Sequence, residues 1–285
     1  MNKLFLLIFA KIFFISTTAS QTQTTDTMLK YPLVLVHGII AHDRESIIDF
    51  WGRIPQILQE NNVQVFFGNT DAWGDYETNA DLLKASIEQI LKETNAEKVN
   101  IIAHSKGGLD SRYLIWKHDF GDKIASLTTI CTPHHGAEVS ELIFRRRIVH
   151  TKVAAKALKT IGKMYKDSNP DLFRVNFQLR PDYMREFNEK VIMDEQVYTQ
   201  SYYSTMRKPS DDWVFFYTNR YIASKSGKND GLVSEQSAQW GDNIVEIKGG
   251  ISHIEILDIK KRKISGIDIP SIYLDIVKQL SEKGF

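Results

Sequence analysis

Ala103-His104-Ser105-Lys106-Gly107-Gly108 follows the apolar run Val99-Asn100-Ile101-Ile102 and precedes Leu109 to Trp116. The first run has the composition of a short buried strand, and the stretch after the serine has the apolar spacing of a buried helix. A serine at such a junction sits on a turn so tight that its backbone is strained and its neighbours cannot carry bulk. Small residues are needed two positions before it and two after, and Ala103 and Gly107 supply them. The turn lifts the Ser105 hydroxyl clear of the sheet. It also aims the next N–H groups, beginning with Lys106, at the same point, which serves attack on a carbonyl and stabilisation of the resulting oxyanion. The five-residue pattern A-x-S-x-G also arises wherever a strand ends in a glycine turn, so the rest of the chain must supply the context.

Upstream, Tyr31-Pro32-Leu33-Val34-Leu35-Val36 is apolar without alternation, as a central parallel strand buried on both faces should be. It ends in His37-Gly38-Ile39. Ile47, Trp51, Ile54 and Leu58 keep helical spacing, Val63 to Phe67 reads as a second strand, and a turn-rich segment runs from Gly68 to Tyr76. An amphipathic helix from about Asn79 to Glu93, with Leu83, Ile87, Ile90 and Leu91 inward, leads into the serine-bearing strand. Beyond the following helix, strands are expected at Ile124 to Ile130, Trp213 to Tyr217 and Asn243 to Ile247, and a closing helix from about Ile269 to Leu280. Strands alternating with helices imply βαβ units and a doubly wound, mostly parallel sheet of the α/β class. Functional groups then belong at the carboxyl ends of the strands.

The 285 residues suffice for one large domain, placed at 31–285, with a helical cap inserted at about 136–200. Within that insertion Arg145, Arg146, Arg147, Lys152, Lys156, Lys159, Lys163 and Lys166 occur with no acid from Leu142 through Lys166. Ala154, Leu158, Ile161 and Tyr165 keep helical spacing there, so the stretch reads either as a cover meeting a lipid–water interface or as a solvated helix face over ordinary core. Over the whole chain charge is balanced, with 36 Lys and Arg against 35 Asp and Glu, and nothing points to nucleic acid. One cysteine, Cys131, excludes an intrachain disulfide. Residues 1–20 combine a positive start, an apolar run from Leu4 to Ile15 and small residues from Ser16 to Ser20, the pattern of a secretory signal. The polar residues that follow, to about 30, read as a flexible tether. Secretion or a periplasmic location follows if the signal is cleaved, and membrane tethering if it is not.

A serine hydroxyl needs a base, and the base needs an anion behind it. On a strand–turn–helix scaffold of this kind the order is serine, acid, histidine. Of the eight histidines, His253 best meets that order: it follows Asn243 to Ile247 through the flexible Lys248-Gly249-Gly250-Ile251-Ser252 loop and precedes the final helix. His134 and His135 read as pocket wall, and His104 as a flanking residue pointing elsewhere. For the acid, Asp230 lies on the Asn229-Asp230-Gly231 turn, with Asp211, Asp212 and Asp242 as lesser candidates. An N–H from the loop after the first core strand would complete an oxyanion hole, and Ile39 beside Gly38 fits, working with Lys106.

VLVHGI at 34–39, NIIAHSKGGLDSRY at 100–113, TPHHGAEV at 132–139, KNDGLVS at 228–234 and HIEILD at 253–258 together resemble the bacterial true lipases, secreted triacylglycerol lipases of the α/β-hydrolase fold. The resemblance implies Ser105, Asp230 and His253 as a triad, Ile39 and Lys106 as oxyanion donors, and a helical lid over an acyl groove. Larger members carry a structural calcium near the histidine loop, with an aspartate two residues after the histidine and a glutamine four further on. Here those positions are Glu255 and Ile259. Glu255 can ligate, and Asp211 or Asp212 can supply a second carboxylate, but Ile259 has no side-chain oxygen. No cofactor is needed for the chemistry. The resulting expectation is a lipase or carboxylesterase. An acyltransferase or thioesterase with the same triad is the alternative, and a non-catalytic binding protein is the reading from another class.

Overall fold

In the computed structural model, residues 28–39, 43, 50–141, 167–168 and 170–285 are described. The sheet has six strands, all parallel where they pair, in the order β2-β1-β3-β4-β5-β6. The strands are β1 (Leu33–Val36), β2 (Val65–Phe67), β3 (Val99–His104), β4 (Ile124–Ile130), β5 (Tyr198–Ser204) and β6 (Asn243–Ile247). In chain order the described helices are α1 (Ile54–Glu60), α2 (Tyr76–Thr94), α3 (Lys106–Lys117), α4 (Leu172–Gln178), α5 (Pro181–Lys190), α6 (Phe216–Ser226), α7 (Glu235–Ala238) and α8 (Ile269–Glu282).

The unbroken apolar run of β1 and the largely apolar one of β3 are explained by burial on both sides. Leu33 and Leu35 join Ile102, Trp51, Ile54, Leu58, Tyr273 and Ile276 in the core under α1 and α8. Val34 and Val36 point the other way, into a second core with Ile101, Ala103 and the Leu83, Ile87 and Ile90 face of α2. Helices on both faces make the fold doubly wound, and the strand order reverses between β1 and its neighbour β3. The carboxyl ends of those two adjacent strands deliver His37-Gly38-Ile39 and Ser105 to one spot.

The strand expected at Trp213 to Tyr217 is corrected by the structure. Trp213–Phe215 is a turn of 3-10 helix and α6 follows directly. The Asp212 carboxylate accepts from the Val214 N–H, and this cap starts the helical turn that aromatic composition disguises as a strand. The fifth strand is instead Tyr198–Ser204, whose polar Gln200, Ser201 and Ser204 are buried. Gln200 is satisfied there by donating to the Thr128 hydroxyl at 2.8 Å, which lets a polar sequence hold a central position.

Between β4 and β5, the described part of the insertion is helical. Val175, Leu179, Met184 and Phe187 of α4, α5 and their junction cover Leu109 and Tyr76. Asp167 accepts from the Ala72 and Trp73 N–H groups at 2.9 Å each, tying this segment to the loop after β2. The basic residues 145–166, the expected signal at 1–20, most of the tether, and Ile47 lie outside the described residues. Among the described residues no helix is long and apolar enough to cross a membrane.

Candidate active site

Ser105 stands between β3 and α3 at φ 54, ψ −129, a backbone conformation that a residue with a Cβ rarely adopts. Such strain costs on the order of 1–3 kcal/mol and persists only where the surroundings enforce it. Here the Ser105 N–H donates to Ile130 O at 2.9 Å and its carbonyl accepts from the Thr132 hydroxyl at 2.7 Å, so the end of β4 clamps the turn. The two glycines behind the serine are spatial requirements. A Cβ on Gly107 would lie 2.4 Å from His37 O, and one on Gly108 would lie 2.3 Å from Thr132 Oγ1.

His253 reaches this serine from the loop after β6. Its Nδ1–H donates to Asp230 Oδ2 at 2.7 Å, which leaves Nε2 as an acceptor for the Ser105 hydroxyl at 3.0 Å. A backbone bond from the His253 N–H to Asp230 O at 2.9 Å fixes the same pair a second time. The other Asp230 oxygen accepts from the N–H groups of Leu232 and Val233 at 2.9 and 2.8 Å, a use of the Asn-Asp-Gly turn that holds the carboxylate aimed at His253. All three side chains are buried. The arrangement can transfer a proton from Ser105 to His253 while Asp230 balances the imidazolium, which is the chemistry of nucleophilic acyl transfer.

Gly38 lies against the serine. A Cβ there would come within 2.8 Å of Ser105 Cβ and 3.3 Å of its Oγ, so the backbone of 38–39 borders the space where a carbonyl would sit. His37 anchors that loop from below, its Nε2 lying 2.9 Å from Thr70 O. Lys106 opens α3, and its N–H is among those at a helix start with no partner inside the helix. Its side chain bends away into a buried pair with Asp110, Nζ at 2.7 Å from both carboxylate oxygens, where Asn79 adds a donor at 2.9 Å. Gly38→Ala is therefore expected to fold and to lose about 100-fold or more in kcat/KM, because the added methyl displaces the serine by a few tenths of an ångström or more. Steady-state kinetics beside a melting curve would separate this from simple destabilisation.

Of the lesser acid candidates, Asp242 accepts from Thr199 N and Oγ1 near the start of β5, at the opposite end of the sheet from Ser105. Asp211 accepts from the Arg207 and Lys208 N–H groups. Asp212 touches the site indirectly, accepting from the Ser252 hydroxyl at 2.8 Å immediately before His253. The sequence also leaves three participants unassigned. His104 does not point elsewhere: its Nε2 lies 3.1 Å from His253 O and its ring packs against that of His253, with centroids 4.7 Å apart. Cys131 places its Sγ within 4.8 Å of the Asp230 and His253 donor atoms, a trio of metal-capable groups, but burial and the Asp230 charge push its thiol well above the usual range and keep it protonated. Ser252 is wholly buried. Only the histidine beside the serine was visible as a signal, and its direction was not.

His134 is a second correction, since it is buried rather than pocket wall. It lies 3.1 Å from Arg112 Nη1 and stacks on Trp240, while His135 is the member of the pair that lines a surface cavity. Burial first, then the neighbouring His253 ring for His104 and the Arg112 guanidinium for His134, holds both imidazoles well below the ordinary histidine value. Both stay neutral in the folded chain while their unfolded counterparts take up protons below about pH 6.5. The unfolded state then binds more protons, so stability falls as pH falls through that value, by up to about 1.4 kcal/mol per pH unit per histidine. Urea unfolding between about pH 7.5 and 5.5 should show a loss of roughly 2–3 kcal/mol, and His134→Gln should remove about half of the slope. A flat profile would contradict the assignment.

A family model described as palmitoyl protein thioesterase matches residues 32–248, from the start of β1 through the end of β6. A triacylglycerol lipase of Vibrio cholerae is 35% identical over 148 residues, 50% of this chain and 47% of that protein, so the chain spans about half the length of this relative. Triacylglycerol lipase 2 of Saccharomyces cerevisiae is 29% identical over 260 residues, 84% of this chain and 75% of that protein. Among solved structures, the lipase of Staphylococcus hyicus superposes with a TM-score of 0.72 at 17% identity, covering 90% of this chain and 97% of that one, a likeness of fold. The lipase resemblance carried by the motifs is thus matched by relatives of that name, and the α/β-hydrolase architecture by the superposition. With its model covering the whole span from the first core strand to the last, the chain belongs to the palmitoyl protein thioesterase family.

Proposed function

We propose that this chain is a serine ester hydrolase acting on lipid esters through an acyl-enzyme on Ser105. The observation that carries the proposal is the continuous line Asp230–His253–Ser105, at 2.7 and 3.0 Å, ending on a serine held at φ 54. His253 Nε2 takes the Ser105 proton as Oγ attacks the ester carbonyl carbon. The oxyanion then accepts from the Ile39 and Lys106 N–H groups, each such donor contributing roughly 3–4 kcal/mol to the transition state. His253 returns the proton to the leaving alcohol, then activates water to release the acid and free the serine. A binding protein without catalysis has no use for a strained serine aligned on a base, which weighs against that reading.

The names of the Vibrio and yeast relatives favour triacylglycerols as substrates. A second reading, cleavage of fatty thioesters, is favoured by the family's name. Both substrates present the same acyl chain and carbonyl and differ in the leaving group. The basic stretch at 142–166 is proposed to meet the lipid–water interface on its charge and apolar spacing. Residues 1–20 are proposed as a secretion signal, which intact-mass measurement of exported protein would test.

Acid release from tributyrin, a long-chain triglyceride emulsion, dissolved p-nitrophenyl butyrate and palmitoyl-coenzyme A distinguishes these readings, with Ser105→Ala run in parallel. Ser105-dependent turnover that is greatest on emulsions is the expected result for a lipase. Preference for the thioester supports the second reading, and activity confined to dissolved short esters makes the chain an esterase. Folded protein inactive on all four would overturn the proposal.

A further inference from the structure

We infer that Lys260 is a built-in cation that joins the Asp212 loop to the His253 loop and so acts as a positioning residue for His253. The inference rests on the role proposed above for His253. Lys260 Nζ lies 2.7 Å from Glu255 Oε1 and 3.5 Å from Asp212 Oδ2. Both carboxylates are almost fully buried, at 4% side-chain exposure each, whereas the lysine side chain keeps 35%. The ammonium thus enters from the solvent side and closes over two inward-facing anions.

Those two anions grip one residue. Glu255 Oε2 accepts from the Ser252 N–H at 3.1 Å, and Asp212 Oδ2 accepts from the Ser252 hydroxyl at 2.8 Å. Ser252 precedes His253 directly, so the placement of the imidazole depends on this clamp as well as on Asp230. Two carboxylates gathered in a dry pocket repel each other unless a cation lies between them. Lys260 is that cation, and the loops it links are 48 residues apart in sequence.

The residues around the clamp do not fit the structural calcium that the resemblance implied. Ile259 packs against the core instead of offering an oxygen. The Asp211 carboxylate is taken by two backbone N–H groups of its own turn. The remaining donors, Asp212 and Glu255, already share the ammonium, and calcium requires about six to eight oxygens. A lysine in place of a divalent ion makes the loop junction independent of metal supply.

The test compares wild type, Lys260→Met, Lys260→Arg and the double variant Lys260→Met/Glu255→Gln, each with chelator and with about 10 mM calcium, an excess over typical millimolar extracellular sites. The readouts are melting temperature and the kinetics of dissolved p-nitrophenyl butyrate. Wild type should respond to neither addition. Lys260→Met should lose about 10- to 100-fold in kcat with KM changed less than about threefold. Lys260→Arg should stay within about threefold of wild type, because it keeps the charge. The double variant should recover most of the loss, since removing one anion removes the need for the cation; a lysine that mattered only through its apolar stem would not be rescued this way. Calcium should leave the melting temperature of every variant unchanged, because removing the ammonium adds no oxygen donor to Asp212 and Glu255.

If Lys260→Met does not fold, recovery of folded, active protein by the double variant carries the same conclusion. Wild type that loses activity or melting temperature in chelator overturns the inference, as does Lys260→Met indistinguishable from wild type. The melting arm does not depend on the identity of the triad, which Ser105→Ala tests separately, so failure of one reading is distinguishable from failure of the other.

Discussion

Ser105→Ala is expected to fold with an unchanged or slightly higher melting temperature and to lose about 10⁴-fold or more of kcat/KM on every ester cleaved. The first half of that expectation comes from how the turn is held. Ser105 sits at φ 54, and removing its hydroxyl takes nothing from the core, because its backbone, not its side chain, carries the bonds to Ile130 and Thr132. The second half comes from chemistry: without Oγ no acyl-enzyme forms, and the oxyanion donors alone can offer only residual catalysis by water. Steady-state rates on p-nitrophenyl butyrate, with circular dichroism melts on the same preparations, measure both. Retention of more than about a tenth of the activity would remove the serine from the mechanism.

Asp230→Asn is expected to reduce kcat by about 10³- to 10⁴-fold while leaving KM within a few-fold. The amide keeps the shape of the carboxylate but presents either a donor or a neutral acceptor to His253 Nδ1, where the structure has a charged acceptor at 2.7 Å. An amide NH₂ facing Nδ1 would turn the imidazole to the tautomer whose Nε2 carries the proton, and that nitrogen can no longer accept from Ser105. Asp230 also caps its own turn through the Leu232 and Val233 N–H groups, so Asn, which can still accept from them, separates the catalytic effect from a structural one better than Ala does. An Asn variant with near-normal kcat would move the acid elsewhere. Asp212 would then be the first residue to examine, because it already touches the loop through Ser252.

The parts of this site that were legible in the sequence are those whose constraints are local. The turn at Ser105 demands small neighbours two residues away, Ala103 and Gly107, and Gly107 and Gly108 are the direct trace of close contacts with the end of β1 and with Thr132. The Asn229-Asp230-Gly231 turn and the glycine-rich approach to His253 are equally local. The unbroken apolar run of β1 and the mostly apolar β3 reflect burial on both sides, as β4 does with its buried Ile124, Leu127 and Ile130, and the inward face of α2 is equally plain. What stayed hidden depends on partners distant in the chain. The polar strand β5 can be central because Thr128 satisfies Gln200, a fact absent from either segment alone. The Trp213–Phe215 turn reads as a strand because its aromatic residues have high β propensity, while one cap at Asp212 decides the backbone. The His104 contact with His253 spans 149 residues and the Lys260 contact with Asp212 spans 48, and no periodicity encodes either.

The central claim is that catalysis runs through a covalent ester on Ser105, and the most direct measurement is to trap it. Wild type treated with diethyl p-nitrophenyl phosphate, which phosphorylates activated serines, would be digested and its peptides weighed, with Ser105→Ala and Asp230→Asn treated alongside. The account predicts one adduct per chain, on the peptide containing Ser105, forming in step with loss of esterase activity, much slower in Asp230→Asn and absent in Ser105→Ala. Complete inhibition with the label on another residue, or undiminished ester hydrolysis by protein fully labelled at Ser105, would contradict it.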